Sequence, residues 1–385
     1  MKIAIIHEWL DSYAGSERVV EQMLACFPQA DLYALCDFLP DNQRGFLGGK
    51  VPRTSFIQRL PLARRMFRNY LQLMPLAVEQ FDLQGYDLVV SSSHAVAKGV
   101  ITGPGTKHVS YVHSPMRYAW DLQHQYLRQA KLTRGLKGLY TRWLLHKLRA
   151  WDQLSSARPD VILGNSSYIV ERIRKVWRRE AEVLHPPVDL EGFPLSTAPR
   201  THFLVASRQV PYKRIELVAE AFARMPDLKL VVAGDGPSAP LVAEAAKGAA
   251  NIEIRGRVPQ AELIALLQGA RAFVFAAEED FGIAMVEAQA CGTPLIVYGR
   301  GGARDIVAEG TTGLFFEEQS ADAIVAAVRA FVAREAAFTP QACHAQAQQF
   351  SIAEFRRKLL EVVGRDLAPP IQPSAPAALR SSEAT

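Results

Sequence analysis

Two glutamates, Glu279 and Glu287, bracket the stretch Asp-Phe-Gly-Ile-Ala-Met-Val, and what flanks them leaves few folds open. Ahead of the first lies an apolar run, Ala272 to Ala277; behind Phe281-Gly282 lies a helix-forming run, Ile283 to Cys291. A short apolar run bounded by a turn reads as a strand buried on both faces, and such strands belong to parallel sheets covered by helices. Glu279 then lies at a strand's carboxyl end, where open α/β sheets take their ligands. The free N–H groups near Phe281, Gly282 and Ile283 open a helix and suit an anionic or hydroxyl-rich ligand. Glu287 follows Ile283 by one helical turn, where its carboxylate can accept hydrogen bonds from a vicinal diol such as a ribose.

The strand–turn–helix unit recurs along the chain. Lys2 to Ile6 reads as a strand, Ser12 to Gly15 as a turn, and Ser16 to Phe27 as a helix capped by Ser16. That arrangement holds phosphates at helix starts, which makes Gly15 a candidate although one glycine is no fingerprint. Asp87–Ser91 and His108–His113 read as strands. His113, at a strand end and followed by Pro115, points into a cleft, and Arg117, Tyr118, Trp120 and Asp121 offer a polar-aromatic wall for an acceptor sugar. Val161–Gly164 is a strand, Tyr168–Arg179 a helix and Val183–Asp189 a last short strand. A linker near 190–200, with Pro194 and Pro199, divides a first domain, 1–190, from a second, 200–345.

The second half starts again with a strand, His202–Ala206, followed by Arg208 and Lys213. Two fixed cations there can neutralise a diphosphate leaving group, with Arg214 as the neighbour of Lys213. Leu228–Ala233, Asn251–Val258 and Pro294–Tyr298 read as further strands, and Gly299–Gly302 as a turn. A helix over 351–366 ends the fold, and the Pro/Ala/Ser-rich stretch 369–385 reads as a disordered tail.

At 385 residues, 49% hydrophobic and 22% charged, the chain is long enough for two domains with real cores. Four cysteines show no metal spacing and read as core thiols in a reducing compartment. No apolar run approaches the roughly 18 residues of a membrane span, so a cytoplasmic location is expected, with any membrane contact peripheral, on the inner face of the plasma membrane. Charge is uneven: residues 1–190 hold 25 Lys/Arg against 17 Asp/Glu, a balance of +8, while the remainder holds 19 against 22, a balance of −3. Two stretches without an acidic residue, Asn42–Val78 and Leu122–Trp151, interleave cations with large apolar side chains, a pattern suited to an anionic membrane surface. No nucleic-acid-binding motif is present, so no nucleic-acid partner is expected.

The Glu-x7-Glu stretch resembles the signature of the retaining, nucleotide-sugar-dependent glycosyltransferases of family 4, and further matches spread over most of residues 1–365. The resemblance implies a GT-B fold, α/β with two Rossmann-like domains facing across a cleft, the second holding the donor and the first the acceptor. It implies that Gly15 approaches the donor phosphate and that His113 lies near the donor sugar's hydroxyls and the reacting carbon. Arg208 and Lys213 would bind the diphosphate, and Arg257 and Val258 would lie against the base. Phe281, Gly282, Ile283 and Glu287 complete the donor site, and Glu279 holds the sugar instead of attacking it. The run Pro115-Met-Arg-Tyr-Ala-Trp120 resembles that of mannosyltransferases of bacterial surface polysaccharide assembly. This implies GDP-mannose as donor, with a UDP-sugar as alternative, and a lipid-linked glycan as acceptor. No cofactor and no metal are expected, since the chain has no Asp-x-Asp motif. A non-catalytic sugar-nucleotide-binding protein is the other open reading.

Overall fold

The computed structural model describes residues 1–365; the expected tail, 369–385, lies outside them. Seven strands form a first sheet: β1 (Ile3–Leu10), β2 (Asp31–Asp37), β3 (Arg53–Thr54), β4 (Leu88–Ser93), β5 (Lys107–Val112), β6 (Val161–Gly164) and β7 (Glu182–Val183). Six form a second: β8 (His202–Ala206), β9 (Leu230–Ala233), β10 (Ile252–Gly256), β11 (Ala270–Phe275), β12 (Leu295–Tyr298) and β13 (Gly313–Phe316). The orders are β3-β2-β1-β4-β5-β6-β7 and β10-β9-β8-β11-β12-β13, with every pairing parallel. Each is the doubly wound order, which reverses between its first and fourth strands and opens a crevice there. The switch points fall between β1 and β4 and between β8 and β11.

The central strands are apolar on both faces because helices cover both. Helix Gly15–Cys26 buries Val19, Val20, Met23 and Leu24 against β1 and β4, each worth about 1.5–3 kcal/mol of burial. Its N-cap is Ala14, not Ser16. The Glu17 carboxylate accepts from the Ala14 N–H (3.0 Å) and from the Ser16 hydroxyl (3.0 Å), so a glutamate one turn in supplies the cap.

The expected strand Val183–Asp189 is cut to β7, because Pro186 and Pro187 cannot donate to a ladder. Beyond them Val188, Leu190 and Phe193 are buried in the second domain's core. The chain returns at Ser351, where Val188 N–H bonds the Phe350 carbonyl (2.9 Å), so the two crossings run side by side. Helix Ile352–Gly364 then buries Phe355, Leu359, Val362 and Val363 in the first domain's core.

The first basic stretch is not one amphipathic helix. It breaks into short turns that bury Ile57, Phe67 and Met74, and Arg44, Arg53 and Arg68 pair with Asp37, Asp31 and Asp11. The second becomes helices Gln123–Gln129 and Gly135–Ser155. Among the described residues no helix is long and apolar enough to cross a membrane.

Candidate active site

Loops at both switch points meet in one cleft. From the first domain come the loop after β1, which opens helix Gly15–Cys26, the loop after β4 with His94, and His113 just past β5. From the second come Ser207–Lys213 after β8 and Ala276–Gly282 after β11. A cavity of about 440 Å³ is lined by Gly15, His94, His113, Arg117, Phe281 and Ile283, among others, and an adjoining one of about 410 Å³, which shares Arg117, Tyr126 and Asp280, by Pro211, Tyr212 and Arg214 of the loop after β8.

His113 is held by a buried chain. Its Nε2 lies 2.8 Å from Ser92 Oγ; that oxygen lies 3.2 Å from His7 Nδ1; His7 Nε2 lies 3.3 Å from Glu17 Oε1. The carboxylate can only accept, so His7 donates to it from Nε2, and the Ser92 hydroxyl joins His7 Nδ1 to His113 Nε2. Burial pulls His113 well below the usual histidine range, with His94 and His7 adding to it, so it stands neutral at physiological pH. For Glu17 burial favours the neutral acid, but the bonds from His7 outweigh it and hold the carboxyl below its usual range.

His94 is fixed by a second buried carboxylate. Glu8 accepts backbone N–H bonds from His94 (3.0 Å), Ala95 (2.7 Å), Val96 (2.8 Å) and Ala97 (3.0 Å). Glu8 breaks the apolar run of β1 because this loop needs an acceptor.

In the second domain Glu279 and Lys213 form a direct ion pair, both largely buried. Burial pulls Lys213 down to about 8, while the adjacent carboxylate favours its charged form. Arg208 is exposed, and among the described residues its guanidinium makes no hydrogen bond or ion pair. The Glu279–Gly282 loop depends on glycines. Gly282 opens helix Ile283–Ala290 at φ 106° with the Met285 side chain where a Cβ would stand. Gly301 and Gly302 press against Glu279 and Phe281, leaving no room for a side chain.

The domains also touch through charges that sequence reading missed. Arg18 Nη1 lies 3.6 Å from Glu287 Oε1; burial raises Glu287 above its usual range and Arg18 opposes the shift. Asp280 receives Arg117 (3.1 Å) and Arg172 (3.3 Å) from the first domain. Asp305 accepts from the Ser167 N–H (2.7 Å) and lies 3.1 Å from His185 Nε2.

The structure thus gathers Gly15, His113, Phe281 and Ile283 around one cavity; Glu279 precedes Asp280 of its lining, and its partner Lys213 lies on a loop that lines the adjoining cavity. Glu287 faces a second cavity's Arg18, and Val258 packs on the core beside exposed Arg257 after β10. Of the expected acceptor wall, Arg117 and Tyr118 line the cavity. Trp120 does not: its Nε1–H bonds Asp152 at 2.7 Å.

Two doubly wound domains whose sheets meet carboxyl end to carboxyl end across a shared cleft define the GT-B class. Residues 13–191 match the description Glycosyltransferase Family 4, and residues 191–350 match Glycosyl transferases group 1. The chain belongs to the glycosyltransferases of the family 4 type. It is 33% identical over 216 residues to the D-inositol 3-phosphate glycosyltransferase of Mycolicibacterium paratuberculosis, covering 47% of this chain and 48% of that protein. The enzyme of that name from Mycobacteroides abscessus is 30% identical over 224 residues, covering 53% and 50%. The chain spans about half the length of these curated relatives. Among solved structures, Anabaena HepE in complex with UDP superposes with TM-score 0.67 at 14% identity, covering 94% of this chain and 99% of that one. Sucrose-phosphate synthase from Thermosynechococcus elongatus superposes with TM-score 0.69 at 17% identity, covering 94% and 98%.

Proposed function

We propose that the protein moves a sugar from a nucleotide donor to a hydroxyl with retention at the anomeric carbon. One observation carries this reading: neutral His113 and the Phe281–Ile283 helix start line one cavity from opposite domains, and Glu279 beside that helix start pairs with Lys213. Lys213 and Arg208 face the charge that develops on a departing diphosphate. Glu279, already engaged by an ammonium, is suited to holding sugar hydroxyls and poorly suited to attack. The leaving phosphate then takes the acceptor's proton, and neutral His113 hydrogen-bonds a donor-sugar hydroxyl. Incubation with donor and acceptor, followed by proton NMR of the anomeric centre, tests it: an inverted product overturns retention, and no transfer from any donor overturns the reaction.

The run Pro115–Trp120 supports GDP-mannose as the donor and a lipid-linked glycan of polysaccharide biosynthesis as the acceptor. A UDP-sugar is the second reading, favoured by the likeness to HepE, which was crystallised with UDP and with UDP-glucose. The abundance of cations in residues 1–190 supports a seat on the inner face of an anionic membrane.

Two substitutions separate binding from chemistry. Glu287→Gln is expected to weaken nucleoside diphosphate binding by ~1.5–3 kcal/mol, the range for hydrogen bonds to a charged group. An unchanged dissociation constant in a folded variant would remove Glu287 from the site. Glu17→Gln removes the carboxylate that accepts from His7 and weakens the chain that holds His113. It is expected to lower kcat on the order of 10-fold or more while nucleoside diphosphate affinity holds. Equal kcat would show that the link from Glu17 to His113 is immaterial.

A further inference from the structure

Helix Gly135–Ser155 has two opposite faces. Gly138, Leu145, Leu148 and Asp152 are buried against the first domain. On the other side Leu136, Leu139, Tyr140 and Trp143 are 85%, 63%, 50% and 54% exposed. Their i, i+3, i+4, i+7 spacing makes one continuous apolar stripe, in which the Tyr140 and Trp143 rings stack at 6.0 Å. Lys147 continues it, its Nζ 6.0 Å from the Trp143 ring. Large apolar side chains clustered in this way on a surface mark a contact site.

The charge around the stripe selects its occupant. Leu122–Trp151 holds no acidic residue, while Lys131, Arg134, Lys137 and Lys147 are exposed and bound to no carboxylate among the described residues. The Tyr140 hydroxyl bonds Gln72 Oε1 (2.5 Å), which sets the helix beside a second acid-free segment exposing Leu62 and Met66 together with Arg64 and Arg65. Tyrosine and tryptophan flanked by lysine and arginine stems are suited to a bilayer interface, with rings at headgroup depth and cations on lipid phosphates.

We infer that this face, Leu136–Trp143 with its ring of lysine and arginine, docks flat on an anionic lipid bilayer. The inference deepens the reading of a membrane-seated enzyme by naming the surface and its partner. It also sets the cleft close to the bilayer: helix Gln123–Gln129, five residues upstream, places Tyr126 in the wall of the reaction cavity. A headgroup-borne acceptor would reach the cavity from that side.

Co-sedimentation of the full chain with vesicles tests it. Binding to phosphatidylglycerol vesicles is expected to exceed binding to phosphatidylcholine vesicles at least 10-fold and to fall steeply between 50 and 300 mM salt, roughly the range over which the Debye length shrinks below the reach of surface charges. Leu139→Ser/Trp143→Ser is expected to abolish sedimentation at unchanged melting temperature and unchanged turnover of a water-soluble acceptor. Equal binding to neutral and anionic vesicles, or undiminished binding by the variant, would overturn the inference. So would a wild-type dimer that the variant converts to a monomer, which would make the stripe a self-interface. Vesicle binding without sugar transfer would leave the surface standing and defeat the enzymatic reading; transfer without vesicle binding would do the reverse.

Discussion

Lys213→Ala and Arg208→Ala are each expected to lower kcat about 10²-fold or more, as loss of one preorganised donor at a developing oxyanion does. Negative charge grows on the β-phosphate as the sugar leaves, so the nucleotide-sugar dissociation constant is expected to change less than kcat. The double variant is expected to lose less than the product of the two, because both cations serve the same phosphate. Arg208 is the cleaner probe: its guanidinium has no partner to orphan among the described residues, whereas removing Lys213 leaves Glu279 uncompensated. The pH dependence follows from burial of Lys213. An amine pulled down to about 8 is charged below that pH and neutral above it, so kcat/KM, which reports the free enzyme, is expected to fall as pH rises through about 8. Lys213→Arg is expected to remove that limb. Turnover is expected to survive a chelator; loss that magnesium restores would contradict two protein cations as the countercharge.

Asp152→Ala is expected to destabilise the first domain by about 3–5 kcal/mol, the cost of breaking a buried pair from one side. Asp152 accepts from Lys98 Nζ (2.5 Å) and from the indole N–H groups of Trp120 and Trp177 (2.7 Å each). Lys98 and Asp152 are both buried, and the Lys98 ammonium lies 4.7 Å from the Trp177 ring. Removing the carboxylate strands one cation and two donors away from water. The drop is read from urea unfolding, and a loss under ~1 kcal/mol would contradict a hub of this kind. Lys98→Met/Asp152→Leu, which removes both charges, is expected to cost far less than the single change.

Local signals reveal most of the fold. Strands β6 and β8 fall where apolar runs place them, because buried parallel strands carry their own pattern. Strand β3 left no trace, since two exposed edge residues have no periodicity. Strand β2 ends in Asp31 and Asp37, acids recruited by Arg53 and Arg44, and these mask its apolar centre. The candidate site was legible where its residues sit in a short motif: Glu279, Phe281, Gly282 and Glu287 share nine residues, of which Phe281 lines the cavity. It was not legible where partners are distant in sequence. Arg18 meets Glu287 and Arg172 meets Asp280 only after two domains have folded and met, and Ser92 joins His7 to His113 only after β1, β4 and β5 have paired. Trp120 misled for the same reason, because its partner Asp152 lies on a helix that sequence alone did not set beside it.

A thermal-shift panel of nucleotide sugars tests the central claim most directly, because a ligand that binds only the folded state adds about 2.7 kcal/mol at a hundred times its dissociation constant. One base and sugar, GDP-mannose or a UDP-sugar, is expected to raise the melting temperature by several degrees in the presence of a chelator, and Glu287→Gln is expected to shrink that rise. A flat response to every base and sugar would contradict a nucleotide-sugar site in this cleft.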